Sequence, residues 1–131
     1  MNNRSTFITA SFFALTAVML GAFATHGLKA HLTPGQISTF ETGTHYQFMH
    51  AIGLFVIGLL MHHNSSKLLR RAALIMAIGV ILFSGSLYLL SCRTVFGIES
   101  WTWLGPITPL GGLAFMTAWL FVLIAVWRDK Q

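Results

Sequence analysis

The side chains of this chain that are best suited to chemistry are polar residues standing inside otherwise apolar segments. Tyr46, Gln47 and His50 lie in one segment, and their spacing places Gln47 and His50 on one face of a helix with Tyr46 beside them. Ser84 and Tyr88 share a face of a later helix in the same way. Because histidine titrates near neutral pH, such a set could bind a proton, a metal ion or a small ligand.

Enzymatic chemistry finds little support in the rest of the sequence. The only acidic residues are widely separated, so the chain offers no carboxylate pair for acid–base catalysis. They are Glu41, Glu99 and Asp129. No glycine-rich phosphate loop occurs, and Cys92, the single cysteine, can form neither an internal disulfide nor a cysteine zinc site. We therefore expect a protein that is not an enzyme.

Metal or haem binding is possible in principle, because several potential ligands occur in the first part of the chain. These are His26, His31, His45, Met49 and His50. His45 and Met49 have a spacing that can share a copper ion, and His26 and His50 could act as axial haem ligands. However, the chain has no dedicated ligand spacing such as HxxxH here, and His26 and His50 differ in expected depth. We therefore predict no metal and no cofactor.

The elements that must position these side chains are membrane-spanning helices. Hydrophobic residues make up 55% of the chain and charged residues 8%, with a mean hydropathy of +0.72. A helix crosses the hydrocarbon core with roughly 20 mostly apolar residues, and four uncharged stretches satisfy this requirement. The predicted spans are residues 5–23, 42–61, 72–91 and 107–127. They leave room for one domain, residues 1–131, in contact with the lipid bilayer.

The distribution of basic residues predicts the orientation. Six of the eight lie on the side that holds both termini and the middle loop: Arg4, Lys67, Arg70, Arg71, Arg128 and Lys130. The opposite side has Lys29 and Arg93. The positive-inside rule therefore places both termini on the cytoplasmic side of the membrane. It also accounts for the basic pI, because no basic patch interleaved with aromatic residues indicates nucleic-acid binding.

The first span also resembles a signal peptide, since Ala22-Phe23-Ala24 fits a small-x-small cleavage site. The low charge before it, the length of the apolar run and its stripe of small residues favour an uncleaved span. Span one has this stripe at Ala10, Ala14, Ala17 and Gly21; spans three and four have related stripes, at Ala73, Ala77 and Ser84 and at Gly111, Ala114, Ala118 and Ala125. Small residues let membrane helices pack closely.

Together these patterns predict an all-α fold, an integral membrane four-helix bundle that is left-handed with up-down topology. Thr33, Pro34 and Gln36 predict a helix start with a capping box. We expect a short interfacial helix here, between spans one and two, that bends near Gly43 into span two. One continuous helix from Pro34 would exceed the hydrocarbon thickness, so the alternative is an end that protrudes from the core.

All four spans bring polar or small groups to the outer half of the membrane. The candidate cluster is His26, Tyr46, Gln47, His50, Ser84, Tyr88 and Thr108. Two interpretations are open. The cluster could serve only as hydrogen-bonding glue between helices, at about 0.6 kcal/mol per bond, or it could line a small outward-opening pocket, because ionisable residues inside a membrane are functional candidates. We favour the first.

Four ordered motifs add a family resemblance. They are Gly21–Leu28, Phe40–His50, Leu82–Tyr88 and Pro106–Gly112. With them the chain resembles the small bacterial inner-membrane proteins of domain-of-unknown-function family 423, although Ala24-Thr25-His26 stands where the family usually has Gly-Ala-His. The resemblance implies an uncleaved four-span protein, and it implies no particular activity.

The resulting functional prediction is a multi-pass inner-membrane protein with a structural or accessory role and an outer-leaflet polar cluster around His50. Its expected partner beyond lipid is a larger membrane complex or a second copy of the chain. The alternative is a protein that binds or transports a small ligand, a proton or a metal ion through the same cluster.

Overall fold

Polar side chains cap the first three long helices, because Asn2, Thr33 and Ser66 each accept a hydrogen bond from a backbone N–H group of the first turn. The computed structural model describes residues 1–63 and 66–128, so Asp129 and Lys130 lie outside the described residues. Asn2 and Ser5 form a capping box at the start of the first long helix, Asn3–Phe23. The predicted capping box of Thr33 and Gln36 is present: each side chain accepts a hydrogen bond from the other's backbone N–H, at 3.3 and 2.9 Å.

The described residues form five α-helices. They are α1 (Asn3–Phe23), α2 (Pro34–His63), α3 (Lys67–Ser91), α4 (Arg93–Phe96) and α5 (Leu104–Arg128), and a π-helical turn (Ala24–Leu28) extends α1. Four of them are long and apolar enough to cross a membrane. Each of these four helices contains the whole of one predicted span.

Close contacts between residues show that neighbouring helices run in opposite directions. A Cβ atom added to Gly79 would meet Phe115, and one added to Gly111 would meet Phe83, so residue numbers rise on α3 as they fall on α5. Gly43 and Gly53 of α2 face Tyr88 and Met76 of α3 in the same antiparallel sense. The predicted all-α membrane bundle with up-down topology is therefore confirmed.

The bundle has α2 and α3 at its centre. Helix α1 packs mainly on α2, and α5 packs mainly on α3, whereas the described parts of α1 and α5 make no extensive contact with each other. The amino group of Met1 lies 3.3 Å from the carbonyl oxygen of Arg70. The amino terminus and the start of α3 therefore share one end of the bundle, here called the terminal end; the opposite end is the loop end.

The predicted stripes of small residues face the protein interior for the most part. Completely buried members include Ala10, Ala73 and Ala118, at 0% exposure. Gly21 differs, because outside its chain neighbours and its own helical backbone no atom of the described residues lies within 4 Å of the position that a Cβ atom would occupy there. Large apolar side chains instead cover the outer surface, as expected for helices in contact with lipid.

The segment between the first two spans differs from the expectation. Helix α2 is continuous from Pro34 to His63, about 45 Å at 1.5 Å per residue. The predicted short interfacial helix is therefore the first part of α2, which extends beyond the hydrocarbon thickness. Gly43 does not end it, because this glycine keeps helical geometry and accommodates the Tyr88 ring, which lies 2.8 Å from the position of an added Cβ.

Candidate functional site

Gln47 is the centre of a hydrogen-bond network that joins three helices. Its Nε2 group donates to the carbonyl oxygen of Phe13, at 2.9 Å, and to Oγ1 of Thr16, at 2.7 Å, both on α1. Its Oε1 atom accepts from the hydroxyl of Tyr88 on α3, at 2.8 Å. Thr16 in turn donates to the carbonyl oxygen of Phe12. Both amide hydrogens of Gln47 are used, so it has no donor left for a ligand.

Close packing holds the Gln47 network in place. Gln47 is 5% exposed, and the Tyr88 ring packs against Phe40 with the ring centroids 4.7 Å apart. The same ring lies over Gly43, where a side chain would collide with it. The absence of a side chain at Gly43 therefore lets α2 approach α3 closely enough for the Tyr88 hydroxyl to reach Gln47.

His50 belongs to a second group, composed of aromatic rings from α2, α3 and α5. Its ring stacks on Phe115 with centroids 3.5 Å apart and an interplanar angle of 11°. Tyr46 is nearly parallel to His50, at 14° and 5.9 Å, and contacts Phe83 at 4.6 Å. The Nδ1 atom of His50 lies 2.8 Å from the carbonyl oxygen of Tyr46. Because a carbonyl oxygen only accepts, Nδ1 must be protonated.

Thr108 and Ser84 lie apart from these two groups. The hydroxyl of Thr108 is 2.7 Å from that of Ser86, so this bond joins α3 to α5. Ser84 is 1% exposed, and its Oγ atom has no hydrogen-bond partner among the described residues. The structure thus brings Gln47 and Tyr88 together, and Tyr46 and His50 together, but not all the predicted cluster residues in one place.

His26 joins none of these groups. It lies in the π-helical turn that follows α1, is exposed, and takes part in no side-chain hydrogen bond among the described residues. His31 and His45 are exposed as well, and only His50 is buried. Within residues 1–63 and 66–128, no three histidine, cysteine, aspartate or glutamate side chains are grouped to hold a metal ion.

A groove of about 580 Å³ opens beside His50, between α2, α3 and α5. Its lining residues are Tyr46, His50, Phe83, Pro109, Gly112, Leu113, Phe115 and Met116. Neither His26 nor Ser84 contributes to it, so the three predicted residues His26, His50 and Ser84 do not share a cavity. The groove is mostly apolar, and none of the described residues that line it is an aspartate, glutamate, lysine or arginine.

Several residues of these groups were not identified from the sequence. Thr16 was overlooked because its hydroxyl is one of several in span one, and nothing in the spacing shows that it faces Gln47. Phe115 resembles an ordinary packing residue. Ser86 was signalled only as part of the Leu82–Tyr88 motif. Its contact with Thr108 depends on how α3 and α5 are rotated about their axes.

The chain is similar to known membrane proteins over most of its length. Residues 20–112 match the family model described as "Protein of unknown function (DUF423)". The chain is 41% identical to the UPF0382 membrane protein YwdK of Bacillus subtilis over 113 residues, 86% of this chain and 87% of the relative. It is 29% identical to the UPF0382 inner membrane protein YgdD of Escherichia coli over 131 residues, 100% of this chain and 95% of the relative. No solved structure matches.

The matched range contains all four motifs on which the sequence resemblance rests, together with every residue of the predicted cluster. The predicted resemblance is therefore confirmed. With four apolar helices long enough to cross a bilayer, the protein is a multi-pass membrane protein in contact with lipid. It belongs to the DUF423 family of membrane proteins.

Proposed function

We propose that this protein is a structural or accessory component of the bacterial inner membrane and not an enzyme. The observation that carries the proposal is the Gln47 network. Both amide hydrogens of Gln47 and its side-chain oxygen form hydrogen bonds with groups of the protein itself, on α1 and α3. Polar groups bonded in this way stabilise the bundle and are unavailable to a substrate.

The arrangement of the outer helices supports an accessory role. Helices α1 and α5 each pack on one central helix and present a broad apolar surface outward. On α1 this surface includes Phe12, Leu15 and Met19, which are 58–61% exposed. Such surfaces contact lipid, and they also suit a neighbouring membrane protein or a second copy of the chain. Association through one of them is part of the proposal.

The proposed orientation has both termini in the cytoplasm, as the distribution of basic residues indicates. It is tested with single cysteines in a Cys92→Ser background and a membrane-impermeant maleimide. Thr94→Cys, on the exposed loop end, should react in spheroplasts, whereas Asn2→Cys should react only after the membrane is permeabilised. The reverse pattern would show that the orientation is inverted.

The accessory role is tested in cells that lack the protein. Native gel electrophoresis of mild detergent extracts should show a membrane complex that is lost without the chain and restored by the wild type. Gln47→Leu should restore it only in proportion to the amount of folded protein, whereas Thr117→Val, which removes a hydroxyl bonded within α5 alone, should behave as wild type. A Gln47 variant of wild-type abundance that fails to restore the complex would contradict a purely structural network.

A further inference from the structure

The second nitrogen of the buried His50 ring, Nε2, has no hydrogen-bond partner among the residues that the structure describes. Nδ1 donates to the carbonyl oxygen of Tyr46, so the neutral ring has a lone pair on Nε2. His50 is 8% exposed, and Nε2 makes no hydrogen bond among the described residues. Among the described residues, the side-chain atoms that are fully buried and have no hydrogen-bond partner are Asn3 Oδ1 and Ser84 Oγ. Nε2 of His50 is not one of them. Since His50 lines the groove, this acceptor is accessible from it.

The residues that line the groove restrict which kind of molecule could donate a hydrogen bond to Nε2 of His50. Tyr46, His50 and Phe115 are nearly parallel, with interplanar angles of 11° to 22°, and Phe83 contacts both Tyr46 and Phe115. Aromatic walls of this kind favour a planar ring that can stack in offset fashion. Within the described ranges no lysine or arginine lines the groove, so an anionic headgroup would lack a counter-charge from these residues.

The open space in the groove beside His50 depends on Gly112, which has no side chain. Apart from its chain neighbours and its own helical backbone, a Cβ atom at Gly112 would have no atom of the described residues within 4 Å, whereas one at the adjacent Gly111 would lie 2.5 Å from the backbone nitrogen of Phe83. Close packing of α3 and α5 therefore accounts for Gly111 but not for Gly112. A glycine in a helix is less favourable than alanine, and at Gly112 its effect is to leave the groove open beside His50.

From these observations we propose that the groove binds a phenolic lipid, a hydroxylated aromatic ring on an apolar tail, which enters from the bilayer. The ring lies among Tyr46, Phe83 and Phe115, and its hydroxyl donates a hydrogen bond to Nε2 of His50. The tail extends past Gly112 toward the lipid. The proposal goes beyond the structural role of the Gln47 network and does not depend on it, so either can fail without the other.

The probe is 4-decylphenol, titrated into full-length protein in lipid nanodiscs with ¹⁵N-labelled histidine. One histidine ¹⁵N signal should shift and saturate, and that signal should be missing from the spectrum of His50→Phe. 4-Decylanisole, whose methyl ether cannot donate, should cause no saturable shift. Decanol, which lacks the ring, should bind at least tenfold more weakly. Equal binding of decanol, or the absence of any saturable shift, would overturn the proposal.

Gly112→Leu should fill the groove and weaken binding at least tenfold. Gly21→Leu is the matched control, because Gly21 likewise has no atom within 4 Å of an added Cβ but lies on α1, away from the groove. It should bind as the wild type does. Circular dichroism establishes that each variant is folded, and Gly112→Ala, with a weakening of at least twofold, replaces Gly112→Leu if the latter does not fold. Unchanged binding in the folded groove variant would show that the phenol binds elsewhere.

Discussion

The hydroxyl of Tyr88 donates a hydrogen bond of 2.8 Å to the side-chain oxygen of Gln47, and this bond links α3 to a residue that is itself bonded to α1. Within a bilayer such an oxygen has no water to replace a missing partner. The three helices are therefore coupled through a single buried amide.

Tyr88→Phe should destabilise the folded bundle because it leaves the Gln47 oxygen without this donor. Measured hydrogen bonds between membrane helices suggest a loss of about 1 kcal/mol in the free energy of unfolding. The ring and its packing on Phe40 are retained. The measurement is a reversible unfolding titration in mixed micelles. Tyr46→Phe is the control, since the Tyr46 hydroxyl makes no hydrogen bond among the described residues, and equal losses in both variants would contradict the prediction.

Gly111 and Gly112 are adjacent but should respond in opposite ways to alanine. At Gly111 the new Cβ would lie 2.5 Å from the nitrogen and 2.7 Å from the Cα atom of Phe83, so α3 and α5 must separate. Overpacking of this kind costs about 1–3 kcal/mol. At Gly112 the new Cβ would have no described atom within 4 Å beyond its chain neighbours and its own helical backbone, so alanine should be neutral or stabilise the helix by up to about 1 kcal/mol. The same unfolding titration measures both, and a stable Gly111→Ala variant would show that the interface can relax.

The sequence allowed the helices to be predicted because their boundaries follow from charge gaps and capping residues. Thr33 and Gln36 form the capping box that their spacing indicates. It also allowed the polar residues of the site to be selected, since any polar side chain within an apolar span stands out. Their depth in the membrane can be estimated from the helical rise.

The partners of those residues could not be predicted in the same way. Depth gives the height of a side chain but not the rotation of one helix against the next. Gln47 and His50 share a face of α2, yet Gln47 contacts α1 and α3 whereas His50 contacts α5. His26 ends a span near the loop end, but the π-helical turn leaves it exposed. The carbonyl oxygen of Phe13, which accepts a hydrogen bond from Gln47, could not be identified from the sequence because every residue has a backbone carbonyl.

Ser84 and Ser86 should also differ on replacement by alanine. Ser84 is buried, and its hydroxyl has no hydrogen-bond partner in the described part of the chain, so Ser84→Ala removes a polar group whose burial is not compensated. It should leave stability unchanged or raise it, by at most about 1 kcal/mol. Ser86→Ala removes the bond to Thr108 between α3 and α5 and should lower stability by about 0.6 kcal/mol. Unfolding titrations of the two variants side by side check this order, and a marked loss for Ser84→Ala would point to a bonded hydroxyl.

Cys92 should react slowly with alkylating reagents, and in a pH-dependent way. It follows the last residue of α3, is 6% exposed, and is packed with Phe40 and Leu28, and this burial raises the pKa of its thiol. Because the thiolate is the reactive form, a raised pKa lowers the reactive fraction at every pH below it. The alkylation rate with iodoacetamide should therefore still be rising where that of an ordinary thiol has levelled off.

The control for this pH profile is an exposed cysteine at the same end of the bundle, Thr94→Cys in a Cys92→Ser background. Slow access to a buried thiol lowers the rate by a similar factor at all pH values, whereas a raised pKa moves the midpoint of the profile to higher pH. The midpoint for Cys92 should lie above that of the control, measured by mass spectrometry of the alkylated protein in the same detergent. Coincident midpoints would show that the thiol is hydrated, and that the apolar packing around Cys92 opens on the timescale of the reaction.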